Sequence, residues 1–221
     1  MNKLKRGKRF KVQVWDIYIR LFHWALAVAV ITCFIALEIN DMTLHMRSGS
    51  CVLALIIFRL LWGLWGSETA KFRTFIKGPS AVLAYLKSGI QKARGHSPLG
   101  ALSVIFMLGL ITFQVTAGLF SSAPDSFLYG PLAEEIGSKY SKWFTHYHQE
   151  VGDIIKIFIG IHIVAILCYK FAKGKKLTAP MITGRAHASG SISTTPLHVP
   201  HKRAAVSIVI AAAASYFLVY S

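Results

Sequence analysis

From Leu99 to Phe120 the chain carries no charge, and four other segments approach that run in apolar character: Ile17–Ile39, Met46–Gly66, Val151–Phe171 and Ala204–Tyr220. An α-helix needs about 20 consecutive apolar residues to cross hydrocarbon. Five such runs in 221 residues, at 54% hydrophobic overall, are more than one water-soluble core can cover. The expected fold is all-α and integral to a membrane: a four-helix transmembrane bundle plus a fifth, C-terminal transmembrane helix. A cleaved secretory leader is a poor reading of the first run. That run is long, contains His23-Trp24, and ends in Glu38-Ile39-Asn40-Asp41 with no small-residue cleavage site.

A formal charge of +16 raises the question of nucleic acid, and the distribution of the charge answers it. Basic residues gather in three stretches: Lys3, Lys5, Arg6, Lys8, Arg9 and Lys11; then Lys71, Arg73, Lys77, Lys87, Lys92 and Arg94; then Lys170, Lys173, Lys175, Lys176 and Arg185. The intervening loops hold Glu38, Asp41, Glu134 and Glu135. Two spans separate each basic stretch from the next, so all three share one side, and the positive-inside rule makes that side the cytoplasm. No nucleic-acid partner is expected. The expected location is a bacterial inner membrane, crossed several times, with a cytoplasmic N-terminus.

The domain reading follows from the same pattern. Residues 1–14 form a basic cytoplasmic N-terminus, 15–185 one transmembrane domain, 186–203 a Ser/Thr/Gly/Pro-rich connector, and 204–221 the last helix. Pro79–Lys87 reads as a short amphipathic helix on the membrane surface. Cys33, Cys51 and Cys168 lie in apolar segments and read as small core residues. The five tryptophans sit near span ends, where an interfacial belt is expected.

Four histidines lie inside or at the mouths of these runs: His23, His45, His148 and His162. An ionisable group in hydrocarbon points to function. Topology pairs them. His23 lies about two turns in from the cytoplasmic side, whereas His45 and His148 lie at the outer mouths of their runs. His162 is fourteen residues past His148, about 21 Å deeper at 1.5 Å per residue and within about 40° of the same helix face. His23 then opposes His162 on the inner side, and His45 opposes His148 on the outer. Two bis-histidine haems b, held in the bundle without covalent attachment, are the chemistry this layout suits. No Cys-x-x-Cys-His is present to attach a c-type haem.

Gly49 and Gly152 each follow an outer histidine by one helical turn, leaving room for a porphyrin edge. Arg20 and Arg59 can hold propionates of the inner haem, or snorkel to lipid head groups. His146 is turned about 160° from the face of His162 and reads as a surface residue. His96 reads as a capping or interfacial group, and His187, His198 and His201 as solvated. Lys156, two turns into its run, faces a water-filled cavity or a quinone.

With these residues in place, the chain resembles the bacterial cytochrome b561 and nickel–iron hydrogenase b-type cytochrome family. The likeness rests on Val14-Trp15-Asp16 with Arg20-Leu21-Phe22-His23-Trp24, Leu44-His45 with Gly49, and Phe58-Arg59-Leu60-Leu61-Trp62-Gly63. It continues through Gly95-His96-Ser97-Pro98-Leu99-Gly100, Tyr129-Gly130-Pro131, His148 with Gly152, His162, and Met181-Ile182-Thr183-Gly184. The family often has Glu directly after the outer histidine of the fourth helix; here Gln149 precedes Glu150. The resemblance implies a four-helix di-haem core with His23, His45, His148 and His162 as ligands. The fifth run lies beyond it.

The function expected from this reading is transmembrane electron transfer. It would link a periplasmic partner, a c-type cytochrome or a hydrogenase-like protein, to ubiquinone or menaquinone, and a homodimer is compatible with it. A self-contained oxidoreductase that reduces quinone with a small donor is the alternative. A metal or solute transporter fits less well, because the spans lack paired helix breaks.

Overall fold

The computed structural model of the chain describes residues 10–88, 95–123, 128–174, 177–188 and 195–220. Lys3, Lys5, Arg6, Lys8, Arg9, Lys92, Arg94, Lys175 and Lys176 lie outside these residues. Among the described residues, five helices are long and apolar enough to cross a membrane: α1 (Ile17–Glu38), α2 (Met42–Trp65), α5 (Pro98–Phe120), α6 (Gly137–Lys173) and α8 (His201–Tyr220). Between them lie the short helices α3 (Phe72–Phe75), α4 (Pro79–Ser88) and α7 (Thr178–Thr183). The architecture is thus an all-α membrane bundle.

Local chemistry places the helix starts. Asp16 caps α1 by accepting from the Ile19 amide at 2.9 Å, and Asp41 caps α2 by accepting from the Leu44 amide at 2.8 Å. Ser97 caps α5 by accepting from the Gly100 amide at 3.1 Å, with Pro98 in the first turn. α6 begins at Gly137, well ahead of its apolar run at Val151. Ser138 to Glu150 are helix-compatible but polar, so apolar length marks only the part of α6 that matches hydrocarbon. At 37 residues α6 is about 55 Å long and projects past the other helices.

α1 and α2 form an antiparallel hairpin, α5 and α6 a second, and α2 touches α5 to join them. α8 lies along the outer side of α2 through a stripe of small buried residues, Ala204, Ser207, Ala211 and Ser215. Hydrogen bonds reinforce it: Trp65 Nε1 donates to Ser207 Oγ at 2.9 Å, and Ser215 Oγ donates to the Ser50 carbonyl at 2.9 Å. Small residues and interhelical hydrogen bonds are what hold helices together when lipid is as apolar as leucine. Much of the remaining surface is apolar, including Leu21, Val28, Ile31 and Ile35 along α1, as hydrocarbon contact requires.

Two two-stranded sheets tie the ends. Strand β1 (Phe10–Gln13) pairs antiparallel with β4 (Arg185–Ala188), and β2 (Ser122–Ala123) with β3 (Leu128–Tyr129). Residues 10–14, read above as part of a basic tail, are therefore built into the bundle, with Val12 and Val14 in the core. The connector likewise begins in a strand. Gly184 closes α7 at φ 75°, and its carbonyl accepts from the Val14 and Trp15 amides at 2.7 and 3.1 Å. A Cβ there would lie 2.8 Å from the Trp15 carbonyl oxygen, so only glycine fits the turn.

Three expectations change. Trp15 and Trp62 are 8% and 0% exposed and belong to the core rather than to an interfacial belt. Cys51 and Cys168 are exposed on the outer surface, where a thiol can face hydrocarbon, and Cys33 is half-buried. His201 is not simply solvated, since its Nδ1 lies 2.9 Å from the Tyr18 hydroxyl.

Candidate haem sites

The contact of α2 with α5 joins the two hairpins and brings His45 of α2 and His148 of α6 together, with ring centroids 6.1 Å apart and planes at 88°. Metal–imidazole bonds run about 2 Å, so two imidazoles on opposite sides of one metal ion hold their centroids roughly 6 Å apart. The observed spacing would admit a metal ion between the two rings. Each ring is also oriented from behind: His45 Nδ1 lies 3.0 Å from the Cys33 carbonyl oxygen, and His148 Nδ1 2.9 Å from the Gln114 carbonyl oxygen. A carbonyl only accepts, so both Nδ1 atoms carry the proton and both Nε2 atoms keep a lone pair for a metal.

Gln114 and Gly118 complete this site. The Gln114 side chain donates from Nε2 to the His148 carbonyl at 2.8 Å, while its Oε1 is buried without a partner. A Cβ on Gly118 would come 2.9 Å from Cε1 of His148, so the ring lies directly on bare backbone. Gly49 opens on empty space, and a Cβ on Gly152 would sit 3.4 Å from Gln114 Nε2. Neither Gln114 nor Gly118 was picked out from the sequence. A lone glutamine in a charge-free span was the available signal; Gly118 has none until α5 and α6 are packed.

One end of the bundle away lies the second pair. His23 and His162 are close enough to interact electrostatically, and His23 Nδ1 is buried without a hydrogen-bond partner. The surrounding shell is dense. Asp16, 0% exposed, accepts from Trp62 Nε1 at 3.2 Å and from Ser67 Oγ, in addition to capping α1. Arg59 is 3% exposed, packs over the rings of Phe72 and Phe75, and leaves Nη1 without a partner. Arg20 reaches across to α7, donating to the Ile182 carbonyl at 2.5 Å, and Trp24 Nε1 donates to the Met181 carbonyl at 3.2 Å.

His96 departs from its expected place. Ser97 does the capping, and His96 is wedged between Trp15 and Phe75, with centroids 4.4 and 4.7 Å away. Burial, and then the positive charge of Arg59, push its pKa down to about 4. It is therefore neutral at neutral pH, and its Nδ1 is unpartnered. His146 is exposed and packs on Tyr147. His198 borders a surface cavity of about 370 Å³ with Thr69 and Phe75. Lys156 makes an ion pair with Asp153.

A bundle of membrane-length helices with opposed imidazoles in its interior defines the class: an integral-membrane b-type cytochrome. Residues 14–184 match the family model described as prokaryotic cytochrome b561, and the chain belongs to that family. Membership implies haem b binding and transmembrane electron transfer by a multi-pass prokaryotic membrane protein. No curated protein and no solved structure gives a significant match. The match ends before α8, which is an addition outside the family's domain.

Proposed function

We propose that this chain holds two haems b, one between His45 and His148 and the other between His23 and His162. Through them it passes electrons between a periplasmic redox partner, of the c-type cytochrome or hydrogenase kind, and ubiquinone or menaquinone in the membrane. When bound, haem b supplies a one-electron iron couple. The observation that carries the reading is the pair His45–His148 at 6.1 Å, with both Nδ1 protons turned to carbonyl oxygens.

The chain's own residues divide the work. The Cys33 and Gln114 carbonyls fix ring tautomer and direction at one end. Gly49, Gly118 and Gly152 keep side-chain atoms away from the space beside the rings. At the other end the unpartnered Arg59 Nη1 is the natural anchor for a propionate, since a buried guanidinium N–H without an acceptor is costly and the nearby Asp16 carboxylate is taken up by Trp62 and Ser67. Arg20, bonded to the Ile182 carbonyl, holds α7 over the His23 end and stands close by as a second cation. Described basic residues crowd this end (Lys11, Lys71, Arg73, Lys77, Lys87 and Lys170), which supports placing it on the cytoplasmic side.

A pyridine haemochrome assay on the purified chain tests the proposal. Two b haems per chain are expected, falling to one in His148→Ala and to one in His23→Ala. A single haem in the unaltered chain would remove the second pair, and none would sink the electron-transfer reading.

A further inference from the structure

Three buried polar groups without partners gather beside the His23 end of the bundle. Arg59 Nη1, Thr69 Oγ1 and His96 Nδ1 are enclosed, and among the described residues none of them finds a hydrogen bond. Arg59 and Thr69 are 3% and 6% exposed. They come from three segments: α2, the loop after it, and the turn that leads into α5. Aromatic rings bring them together. Phe75 has the His96 ring 4.7 Å and the Arg59 guanidinium 5.9 Å from its centre. Phe72 closes over Arg59 at 4.6 Å and sits on the bare backbone of Gly63, where a Cβ would overlap its ring. Gly95, at φ 98°, passes close to Trp15 and Thr69: a Cβ there would lie 3.5 Å from the Trp15 ring and 3.9 Å from Thr69 Cβ. Thr69 thus lies against the residue before His96.

Buried polar groups are almost always paired, and the chemistry of a shared acceptor here is narrow. Arg59 Nη1 only donates, and the Thr69 hydroxyl and one nitrogen of a neutral His96 can donate as well. The protein's own carboxylates at this end are engaged. Asp16 accepts from the Ile19 amide, Trp62 and Ser67, and Glu68 pairs with Lys71. Arg20 is held by the Asp16 and Ile182 carbonyls. One further carboxylate would accept from all three orphaned groups and balance the charge of Arg59. Its level in the bundle is set by Phe22 and Phe58, whose ring centroids lie 6.5 Å apart. These residues immediately precede His23 and Arg59, which therefore stand at one height on α1 and α2.

We propose that His96 and Thr69 join Arg59 in one carboxylate pocket, which holds a propionate of the haem between His23 and His162. His96 and Thr69 are then positioning residues: they touch the haem's side chain and fix its seat, while the imidazoles of His23 and His162 face the iron. The proposal rests on the two-haem reading given above and adds to it the donors that complete the inner site. It also gives a reason for the aromatic packing of Trp15, Phe72 and Phe75, which keeps water from competing for the three donors.

The test uses the haem-loaded chain in lipid nanodiscs, with carbon-13 in the propionate carboxyls of its haem. Difference infrared spectra then report the hydrogen bonding of each carboxylate. His96→Leu and Thr69→Val should shift the same carboxylate band, and each should release one haem to apomyoglobin about tenfold faster than the unaltered chain does. His96→Gln and Thr69→Ser keep a donor and should return both readouts toward those of the unaltered chain. In His23→Ala, which removes the inner haem, the band should be absent and His96→Leu should add nothing. Faster haem release with no movement of a carboxylate band would leave His96 a packing residue and overturn the proposal. So would a band shift that persists in His23→Ala. A chain with a single haem that His23→Ala leaves in place fails the two-haem reading itself, and this proposal with it.

Discussion

The two histidine pairs stand at opposite ends of one bundle, and the protein has prepared them differently. At the His45–His148 end the two histidines themselves are set: their rings lie 6.1 Å apart with planes at 88°, and both Nδ1 atoms are engaged with carbonyl oxygens. At the His23–His162 end it is the surroundings that are set. Asp16 knots α1 to α2 and to the following loop, α7 is strapped across by Arg20 and Trp24, and β1 closes on β4. Inside that frame His23 Nδ1 and Arg59 Nη1 wait without partners. Preorganised ligands lose little freedom when they bind. Under the proposed two-haem reading, the first site would orient an iron and the second would enclose a cofactor whose own groups supply the missing hydrogen bonds.

The largest effects should come from the ligands. Removing His148 or His23 is expected to halve the haem content. The two variants should still differ: His148→Ala leaves a folded helix pair with one idle ring, whereas His23→Ala also leaves Arg59 buried beside an empty space. Haem per chain and thermal midpoint, measured together, separate these outcomes, and an equal loss of stability in both would break the comparison. Next in size is Asp16→Ala, which orphans the Trp62 and Ser67 donors and removes the cap of α1. About 3–5 kcal/mol of stability should go, read as a drop in the denaturation midpoint. The haem between His45 and His148 should survive better than the one at the knotted end.

How much of this could be read in the sequence follows from what each feature depends on. Spans were legible because hydrocarbon imposes a length, and the two histidine levels because helical pitch converts fourteen residues into a depth and an angle. The N-terminal extension of α6 was not, since Ser138 to Glu150 make a good helix without being apolar. The roles of Asp16, His96 and Gly118 arise only when distant segments meet: Asp16 with Trp62 and Ser67, His96 with Trp15 and Phe75, Gly118 with His148. The β1–β4 pairing joins residues that flank the two ends of the family domain, and four residues on each side gave no local sign of it. Arg59 was picked out, yet its burial beneath Phe72 and Phe75 was not, because those rings come from the short helix α3 that follows α2.

His96 offers a test of the enclosed end through pH. Its pKa in the folded protein, about 4, is below the ordinary 6.5, so the folded state resists the proton that the unfolded state accepts. This contribution to stability is complete above pH 6.5 and is lost as the pH falls toward 4. Between pH 7 and pH 4.5 the loss is about 2.5 kcal/mol. In His96→Leu that part of the pH dependence should vanish. Protonation of the histidine ligands contributes to both chains and cancels in the difference. Identical acid profiles for the two would show that His96 is not held neutral between Trp15 and Phe75.

The smallest expected effects come from two glycines at the orienting end, and they sharpen the comparison most. In Gly118→Ala the new methyl meets Cε1 of His148 at 2.9 Å, so either the ring or α5 must shift, at about 1–3 kcal/mol. The bond from His148 Nδ1 to the Gln114 carbonyl should lengthen, moving the reduction potential of one haem and not the other. Gly49→Ala meets no protein atom within 4 Å. On the protein alone it should stabilise α2 by up to about 1 kcal/mol, the ordinary gain of alanine over glycine in a helix. If that open space belongs to a porphyrin, the same methyl lowers haem occupancy at this end while the apo-protein gains stability. Opposite signs in these two readouts are the expected result. Agreement between them would mean that the space beside Gly49 is only a lipid-facing groove.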